Sequence, residues 1–130
     1  MSAAAVLVAA GKGTRFGAAD KALAPLGGRP LLAWSLDALE ATAGVADVTV
    51  VAGEHTIAAV EALLAGGVWA KTGRVVRGGE RRQDSVAAGL AATPDACDVV
   101  VVHDAARPLA PAALFDACVA AARATGAAIA

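Results

Sequence analysis

Ala4–Ala9 reads AAVLVA, a continuous apolar run that is followed at once by Ala10-Gly11-Lys12-Gly13. An uninterrupted apolar run of this length is typical of a strand that is buried on both faces, as in a parallel sheet with helices on either side. The run is much shorter than the roughly 18 apolar residues of a membrane helix, and no basic segment precedes it as in a signal peptide. It therefore predicts a buried strand that ends in a glycine-rich turn.

Strand and helix signals alternate along the rest of the chain. Runs of apolar and β-branched residues predict further strands at Asp47–Ala52, Gly73–Arg77 and Asp98–Val102, and the beginning of another at Gly126–Ala130. Helical crossovers between such strands imply an α/β fold, namely a Rossmann-like, mainly parallel sheet with helices on both faces.

The helices are predicted from apolar residues that recur every three or four positions. Their expected starting points are Arg29-Pro30, Thr56, Asp84 or Ser85, and Pro111, with the last helix running to about Thr125. The residues expected to face the core in the first three helices are Leu32, Leu36 and Leu39; Ile57, Val60 and Leu64; and Val86 and Leu90.

Composition narrows the class of protein. A chain of 130 residues suits one domain with a real core, and its 11 basic and 12 acidic residues favour neither nucleic acid nor membrane as a partner. Cys97 and Cys118 fit no metal or redox spacing, so we expect free thiols in a reducing cytoplasm. Because the sequence stops inside a predicted strand, residues 1–130 are expected to form a domain that is incomplete at its C-terminus.

In parallel sheets, ligands bind beyond the carboxyl ends of the strands, which directs attention to residues 10–21, 78–85 and 103–108. In the first of these loops, Gly11 and Gly13 allow backbone N–H groups to approach an anion closely, and Arg15 and Lys21 add positive charge. The loop has neither Walker spacing nor the dinucleotide fingerprint, since Phe16 stands where that fingerprint needs glycine. A tight turn with solvated basic residues remains the alternative.

The second loop contains Gly78-Gly79-Glu80 and then Ser85 near a predicted helix start. Glycine backbone can read a base edge there and the serine can bind a ribose or phosphate, although a glycine turn with a helix cap explains the same residues.

The third loop follows a buried strand and begins with His103-Asp104. A carboxylate at this position can hold Mg²⁺ against triphosphate oxygens, and the Arg107 guanidinium can bind a further phosphate in a bidentate way. Alternatively, Asp104 caps a turn and Arg107 is its ion-pair partner. We interpret His103 as a structural residue at the strand end.

Three motifs carry a resemblance to a known family: AAGKGTR at residues 9–15, GGERRQDSV at residues 78–86 and VHDAARP at residues 102–108. Together they resemble the 2-C-methyl-D-erythritol 4-phosphate cytidylyltransferases of non-mevalonate isoprenoid synthesis. The resemblance implies a nucleotidyltransferase (GT-A-like) fold that transfers CMP from CTP to the methylerythritol phosphate and releases pyrophosphate. It also implies a homodimer that uses Mg²⁺.

The family pattern assigns a role to each matching residue. Arg15 and Lys21 would stabilise the transition state, Asp104 would hold Mg²⁺, and Arg107 would contribute to the substrate-phosphate site. The residues that would line the nucleotide pocket are Ala9, Ala10, Gly11, Gly13, Gly79, Glu80 and Ser85.

Other functions remain open on the same fold. Asp20-Lys21-Ala22-Leu23, followed by Pro25-Leu26-Gly27-Gly28, is more similar to molybdenum-cofactor guanylyltransferases. A ribitol-phosphate cytidylyltransferase and a non-catalytic nucleotide-binding fragment are the further alternatives.

Overall fold

The computed structural model describes residues 2–11 and 21–130. In chain order its strands are β1 (Ala3–Ala9), β2 (Pro25–Leu26), β3 (Arg29–Pro30), β4 (Val45–Ala52), β5 (Thr72–Arg77) and β6 (Val99–Asp104). Its helices are α1 (Leu31–Ala41), α2 (Ile57–Ala65), α3 (Arg82–Ala92) and α4 (Ala112–Thr125), and Lys21–Leu23 forms a short 3-10 turn. None of these helices has both the length and the apolarity that crossing a membrane would require.

The main sheet is parallel, with strand order β5-β4-β1-β6. Its centre is β1, whose seven residues are all buried, as the apolar run predicted. Side chains of β1 alternate between two cores: Leu7 packs with α1, α2 and α4 on one face, and Val6 packs with α3 on the other. The predicted fold class, a mainly parallel sheet with helices on both faces, is therefore confirmed.

The segment before α1 differs from the prediction. Arg29–Pro30 pairs with Pro25–Leu26 as a small antiparallel hairpin, and Pro30 is also the N-cap of α1, so the helix begins directly after the predicted start. Gly27 and Gly28 form its two-residue turn with φ of 59° and 79°, a left-handed conformation that favours glycine. Trp34 on α1 fixes the hairpin, because its Nε1 donates to the Leu26 carbonyl at 2.9 Å. The predicted inward residues of α1 are all buried.

Helix α3 begins at Arg82 and buries only part of the face predicted, since Val86 packs against the core of Val6, Val8 and Val51 but Leu90 does not. Leu90 is 45% exposed, and the buried positions are Ser85 and Gly89. The reason is the small distance between α3 and the sheet: a Cβ on Gly89 would clash with Val6 and would lie 3.0 Å from Val51 Cγ2. A helix face that lies this close to a sheet has room only for small residues. Small residues such as glycine and serine do not produce the apolar periodicity from which a buried face is predicted.

The strand predicted at Gly126–Ala130 is not observed. Helix α4 ends at Gly126, whose φ of 96° places it in the left-handed region, and residues 127–130 have no regular structure. Ile129 is 99% exposed. A strand requires a hydrogen-bonded neighbour, and within the described residues β6 pairs with β1 alone. An apolar composition at this position was therefore insufficient to predict a strand.

An ion pair attaches α4 to the residue that precedes β6. Arg123 Nε and Nη2 donate to Asp98 Oδ2 and Oδ1 at 2.9 and 2.8 Å, a bidentate geometry. The hydrogen bonds from Arg123 lower the pKa of Asp98. A lowered folded-state pKa stabilises the protein above the unfolded value of about 3.9 and loses that effect as the pH falls through the folded value.

Asp98→Asn is therefore expected to lower the urea midpoint of unfolding at pH 7 and to leave it nearly unchanged in acid. The measurement is the urea midpoint of wild type and variant at several pH values from 7 down to 2. Asp95→Asn, which removes an exposed carboxylate three residues earlier, is the control and should change little. Parallel pH profiles for wild type and Asp98→Asn would contradict the assignment.

Candidate functional site

The ends of β1, β5 and β6 bring three chain segments to one edge of the sheet. Because the strands are parallel, Ala10-Gly11, Gly78–Arg81 and Ala105–Pro108 all leave the sheet on the same side. Backbone hydrogen bonds continue the ladder past the strand ends: Gly78 N–H donates to the Ala52 carbonyl and Ala105 N–H donates to that of Val8, both at 2.9 Å.

The first and second of these segments touch at Gly78. A Cβ there would clash with Ser85 Oγ and would lie 2.7 Å from the Ala10 Cβ. Ser85 is 2% exposed, so it lies beneath this contact, in the first turns of α3. Ala9 is also buried, with its side chain in the core, whereas Gly11 is exposed. The absence of a side chain at Gly78 thus allows the two segments to pack together.

A capping interaction fixes the start of α3. Asp84 Oδ2 accepts hydrogen bonds from the Arg81 backbone N–H at 3.2 Å and from its Nε at 3.1 Å. The side-chain hydrogen bond, followed by the backbone one, lowers the pKa of Asp84. Gly79 is required beside it, since a Cβ there would clash with the Asp84 Cβ, and the next residue, Glu80, is exposed. Asp84 therefore caps the helix from within its first turn, rather than starting it.

The second and third segments are joined by an ion pair that the sequence did not indicate. Arg82 Nε donates to Asp104 Oδ1 at 3.1 Å, and Arg82 Nη2 lies 3.1 Å from the same oxygen. The expected alternative partner, Arg107, instead closes a turn, with its backbone N–H donating to the Asp104 carbonyl at 3.0 Å. The ion-pair partner of Asp104 is Arg82, and the alternative interpretation of Arg107 as that partner is wrong.

A groove beside β6 is lined by Arg82, Asp104 and Arg107 together. It continues along the strand toward α4 and residues 126–130. Ser85 and Lys21 are not among its described lining residues. Asp104 and Arg107 therefore share one hollow, while Ser85 is buried beneath Gly78 and is not part of that lining.

His103 stabilises the third segment from within. Its Nε2 lies 3.0 Å from the Arg107 carbonyl, and because a carbonyl can only accept, Nε2 is the protonated nitrogen. Its ring packs edge-on against Phe115, with centroids 4.9 Å apart. Burial lowers the pKa of His103, and the hydrogen bond to the carbonyl opposes that shift. The neutral ring therefore holds the turn between residues 103 and 107.

Only some of the predicted site residues in the first loop are among the residues that the structure describes. Gly13 and Arg15 lie outside the described residues. Lys21 opens the 3-10 turn, where its carbonyl accepts a hydrogen bond from Ala24 N–H at 3.1 Å and the next residue, Ala22, is buried. The catalytic roles of Arg15 and Lys21 stay predictions.

Asp104 is the carboxylate that the family pattern assigns to a divalent cation at this edge. In residues 2–11 and 21–130, no group of three or more His, Cys, Asp or Glu side chains could hold a metal ion. Mg²⁺ is usually bound by one or two carboxylates together with water and substrate phosphate oxygens. Asp104 Oδ2 makes no hydrogen bond within the described part of the chain, so this residue suits such a site.

A family model described as IspD, 2-C-methyl-D-erythritol 4-phosphate cytidylyltransferase, matches residues 3–130. The chain belongs to this family. The bifunctional enzyme IspD/IspF of Clavibacter michiganensis is 48% identical over 127 residues, 95% of this chain and 31% of that protein. The 2-C-methyl-D-erythritol 4-phosphate cytidylyltransferase of Streptomyces avermitilis is 47% identical over 123 residues, 92% of this chain and 49% of that protein. The chain thus spans less than half the length of either relative.

Solved structures agree with the cytidylyltransferase family assignment. The 4-diphosphocytidyl-2C-methyl-D-erythritol synthase of Anaerococcus prevotii superposes with a TM-score of 0.80 at 26% identity, over 94% of this chain and 51% of that one. A CMP:2-keto-3-deoxy-manno-octonic acid synthetase complexed with CTP has a TM-score of 0.75 at 18% identity, over 97% of this chain and 49% of that one, which shows a shared fold.

Proposed function

We propose that the protein transfers CMP from CTP to 2-C-methyl-D-erythritol 4-phosphate and releases pyrophosphate. The observation that supports this most directly is the meeting, at one sheet edge, of the described residues of the three family motifs. Ala10 packs against Gly78 over Ser85, and Arg82 reaches from the same helix turn to Asp104. Parallel sheets bind ligands at such an edge.

The reaction needs no nucleophile from the protein. A phosphate oxygen of the acceptor attacks the α-phosphorus of CTP in line, the new P–O bond forms, and the bond to the β-phosphate oxygen breaks, so that pyrophosphate leaves with the electron pair. Positioning and charge neutralisation then supply the catalysis. Arg15 and Lys21 would neutralise charge at the α-phosphate, and Arg107 would bind the acceptor's phosphate.

The nucleotide itself would be bound by the first two segments. Gly11 and Gly13 would present backbone N–H groups to the triphosphate, with Ala9 and Ala10 beside them. Gly79 and Glu80, which are exposed and directly precede the N-cap of α3, would face the cytosine, and Ser85 would support the nucleotide from beneath Gly78.

The cation would be Mg²⁺, held by Asp104 and by phosphate oxygens, and when bound it would offset triphosphate charge. Rv0371c of Mycobacterium tuberculosis, a structure of the same fold at 22% identity and a TM-score of 0.70, covering 96% of this chain and 61% of that one, is described in complex with manganese. We also propose that the protein is cytoplasmic, in keeping with the two free cysteines among the described residues, and that it forms the homodimer that the family resemblance implies.

The test is pyrophosphate release by the purified protein from CTP or GTP, with methylerythritol phosphate or ribitol phosphate as acceptor. We expect turnover with CTP and methylerythritol phosphate. Preference for GTP would favour a guanylyltransferase, and preference for ribitol phosphate would change the acceptor. Binding of CTP with Mg²⁺ but no product from any acceptor would identify a non-catalytic nucleotide-binding module.

A further inference from the structure

We propose that Arg82 is a positioning residue for the divalent cation, because it holds Asp104 through Oδ1 and leaves Oδ2 available to a cation that arrives with the nucleotide. The proposal rests on the proposed function and assigns a role to a side chain outside the set predicted from the family motifs. It is carried by the geometry of this ion pair in comparison with two other Arg–Asp pairs of the same chain.

Those two pairs engage both carboxylate oxygens. Arg123 donates to Asp98 Oδ2 and Oδ1 at 2.9 and 2.8 Å, and Arg81 donates to Asp84 Oδ2 and Oδ1 at 3.1 and 3.2 Å. This parallel arrangement is the one that guanidinium and carboxylate groups favour. Arg82 instead brings two nitrogens to one oxygen, since its Nε and Nη2 both lie 3.1 Å from Asp104 Oδ1. Arg29 and Arg74 also contact one oxygen, of Asp37 and of Asp47, but each does so through Nη1 alone.

The backbone on both sides of the pair is fixed. Arg82 is the first residue of α3 and directly follows Arg81, whose N–H is bound by Asp84. Asp104 is the last residue of β6 and lies in register with Val8 of the central strand. The pair therefore joins the start of α3 to the carboxyl end of β6, next to the end of β1, and determines which carboxylate oxygen faces away from the guanidinium.

Because the side chains of Arg82 and Asp104 are partly exposed, folding stability alone does not account for their ion pair. The side chains of Arg82 and Asp104 are 59% and 34% exposed, and ion pairs of this kind contribute little to folding stability. Partners that orient a metal-binding side chain, by contrast, commonly change metal affinity when they are removed, by roughly 10–100-fold. Arg82→Gln should therefore fold normally and bind the cation less well.

A second physical effect acts in the opposite direction and makes the test decisive. A guanidinium 3.1 Å from the carboxylate also repels a divalent cation and competes with it for the same group. If Arg82 merely neutralised Asp104, its removal would strengthen cation binding. Positioning and neutralisation thus predict changes of opposite sign in the same measurement.

The experiment compares CTP affinity by calorimetry with Mn²⁺ and with EDTA, with no acceptor present. We expect Mn²⁺ to raise CTP affinity in the wild type, and Arg82→Gln to reduce that increase by roughly 10–100-fold while leaving the affinity in EDTA within a few fold. Electron paramagnetic resonance of bound Mn²⁺ gives an independent readout. Arg81→Gln, the same charge change one residue earlier, should retain the wild-type increase.

An unchanged or larger Mn²⁺ effect in Arg82→Gln overturns the positioning role while leaving the proposed function intact. Loss of the effect in Asp104→Asn, with no further loss in the double variant, supports action through Asp104. Absence of CTP binding by the wild type would overturn the proposed function, and the role of Arg82 with it.

Discussion

Lys21→Ala is expected to lower kcat by roughly 10²–10³ and to weaken CTP binding by only a few fold. Negative charge builds on the α-phosphate oxygens as the acceptor attacks, so a preorganised cation stabilises the transition state more than the bound substrate. The loss corresponds to about 3–4 kcal/mol of transition-state stabilisation. Steady-state pyrophosphate release, measured over a range of CTP concentrations, separates the effect on kcat from that on KM.

Lys71→Ala provides a matched lysine control. Lys71 precedes β5, at the opposite edge of the sheet, and its Nζ donates to the Thr42 carbonyl at 2.8 Å. Its removal should leave kcat close to that of the wild type. A Lys21→Ala enzyme with kcat within a few fold of wild type would show that the proposed catalytic role is wrong.

Gly89→Ala is expected to destabilise the fold, with the opposite sign from the usual effect in a helix. Alanine in place of an interior helix glycine normally stabilises by roughly 0.5–1 kcal/mol. Here the new Cβ would clash with Val6 and lie 3.0 Å from Val51, and both valines are fully buried. Overpacking of this kind costs about 1–3 kcal/mol.

Urea unfolding measures this change, with Gly73→Ala as the control. Gly73 lies on β5, and a Cβ there would meet nothing within 4 Å, so its substitution should leave the midpoint unchanged or raise it slightly. A higher midpoint for Gly89→Ala would mean that α3 does not approach the sheet as closely as the structure indicates.

The parts of the fold that could be predicted from sequence are those with strong local patterns. The run AAVLVA predicted the central strand because burial on both faces leaves no polar position in it. Leu32, Leu36 and Leu39 predicted the buried face of α1 for the same kind of reason. In α3 the pattern was right for Val86, which packs against the core, but failed at Leu90, because Ser85 and Gly89 are the residues buried against the sheet.

The site was predicted as a set of loops but not as a set of contacts. Parallel topology is sufficient to bring residues 78–85 and 103–108 to one edge. The pairing of Arg82 with Asp104 joins side chains 22 positions apart, and Arg107 was an equally charged candidate much nearer in sequence. The choice between them depends on where α3 begins and on the turn that directs the Arg107 backbone toward Asp104, which local patterns do not specify.

The short distance between α3 and the sheet links core packing to the proposed ligand site. Gly89 and Ser85 are one helical turn apart on the same buried face, and Arg82 lies in the turn before them. An added methyl group at residue 89 would push α3 away from the sheet. The hydroxyl of Ser85 and the guanidinium of Arg82 would move with the helix. Variants that enlarge this interior face are thus expected to lose affinity for the proposed nucleotide as well as stability, whereas changes at Leu90, which is 45% exposed, should leave the two properties independent.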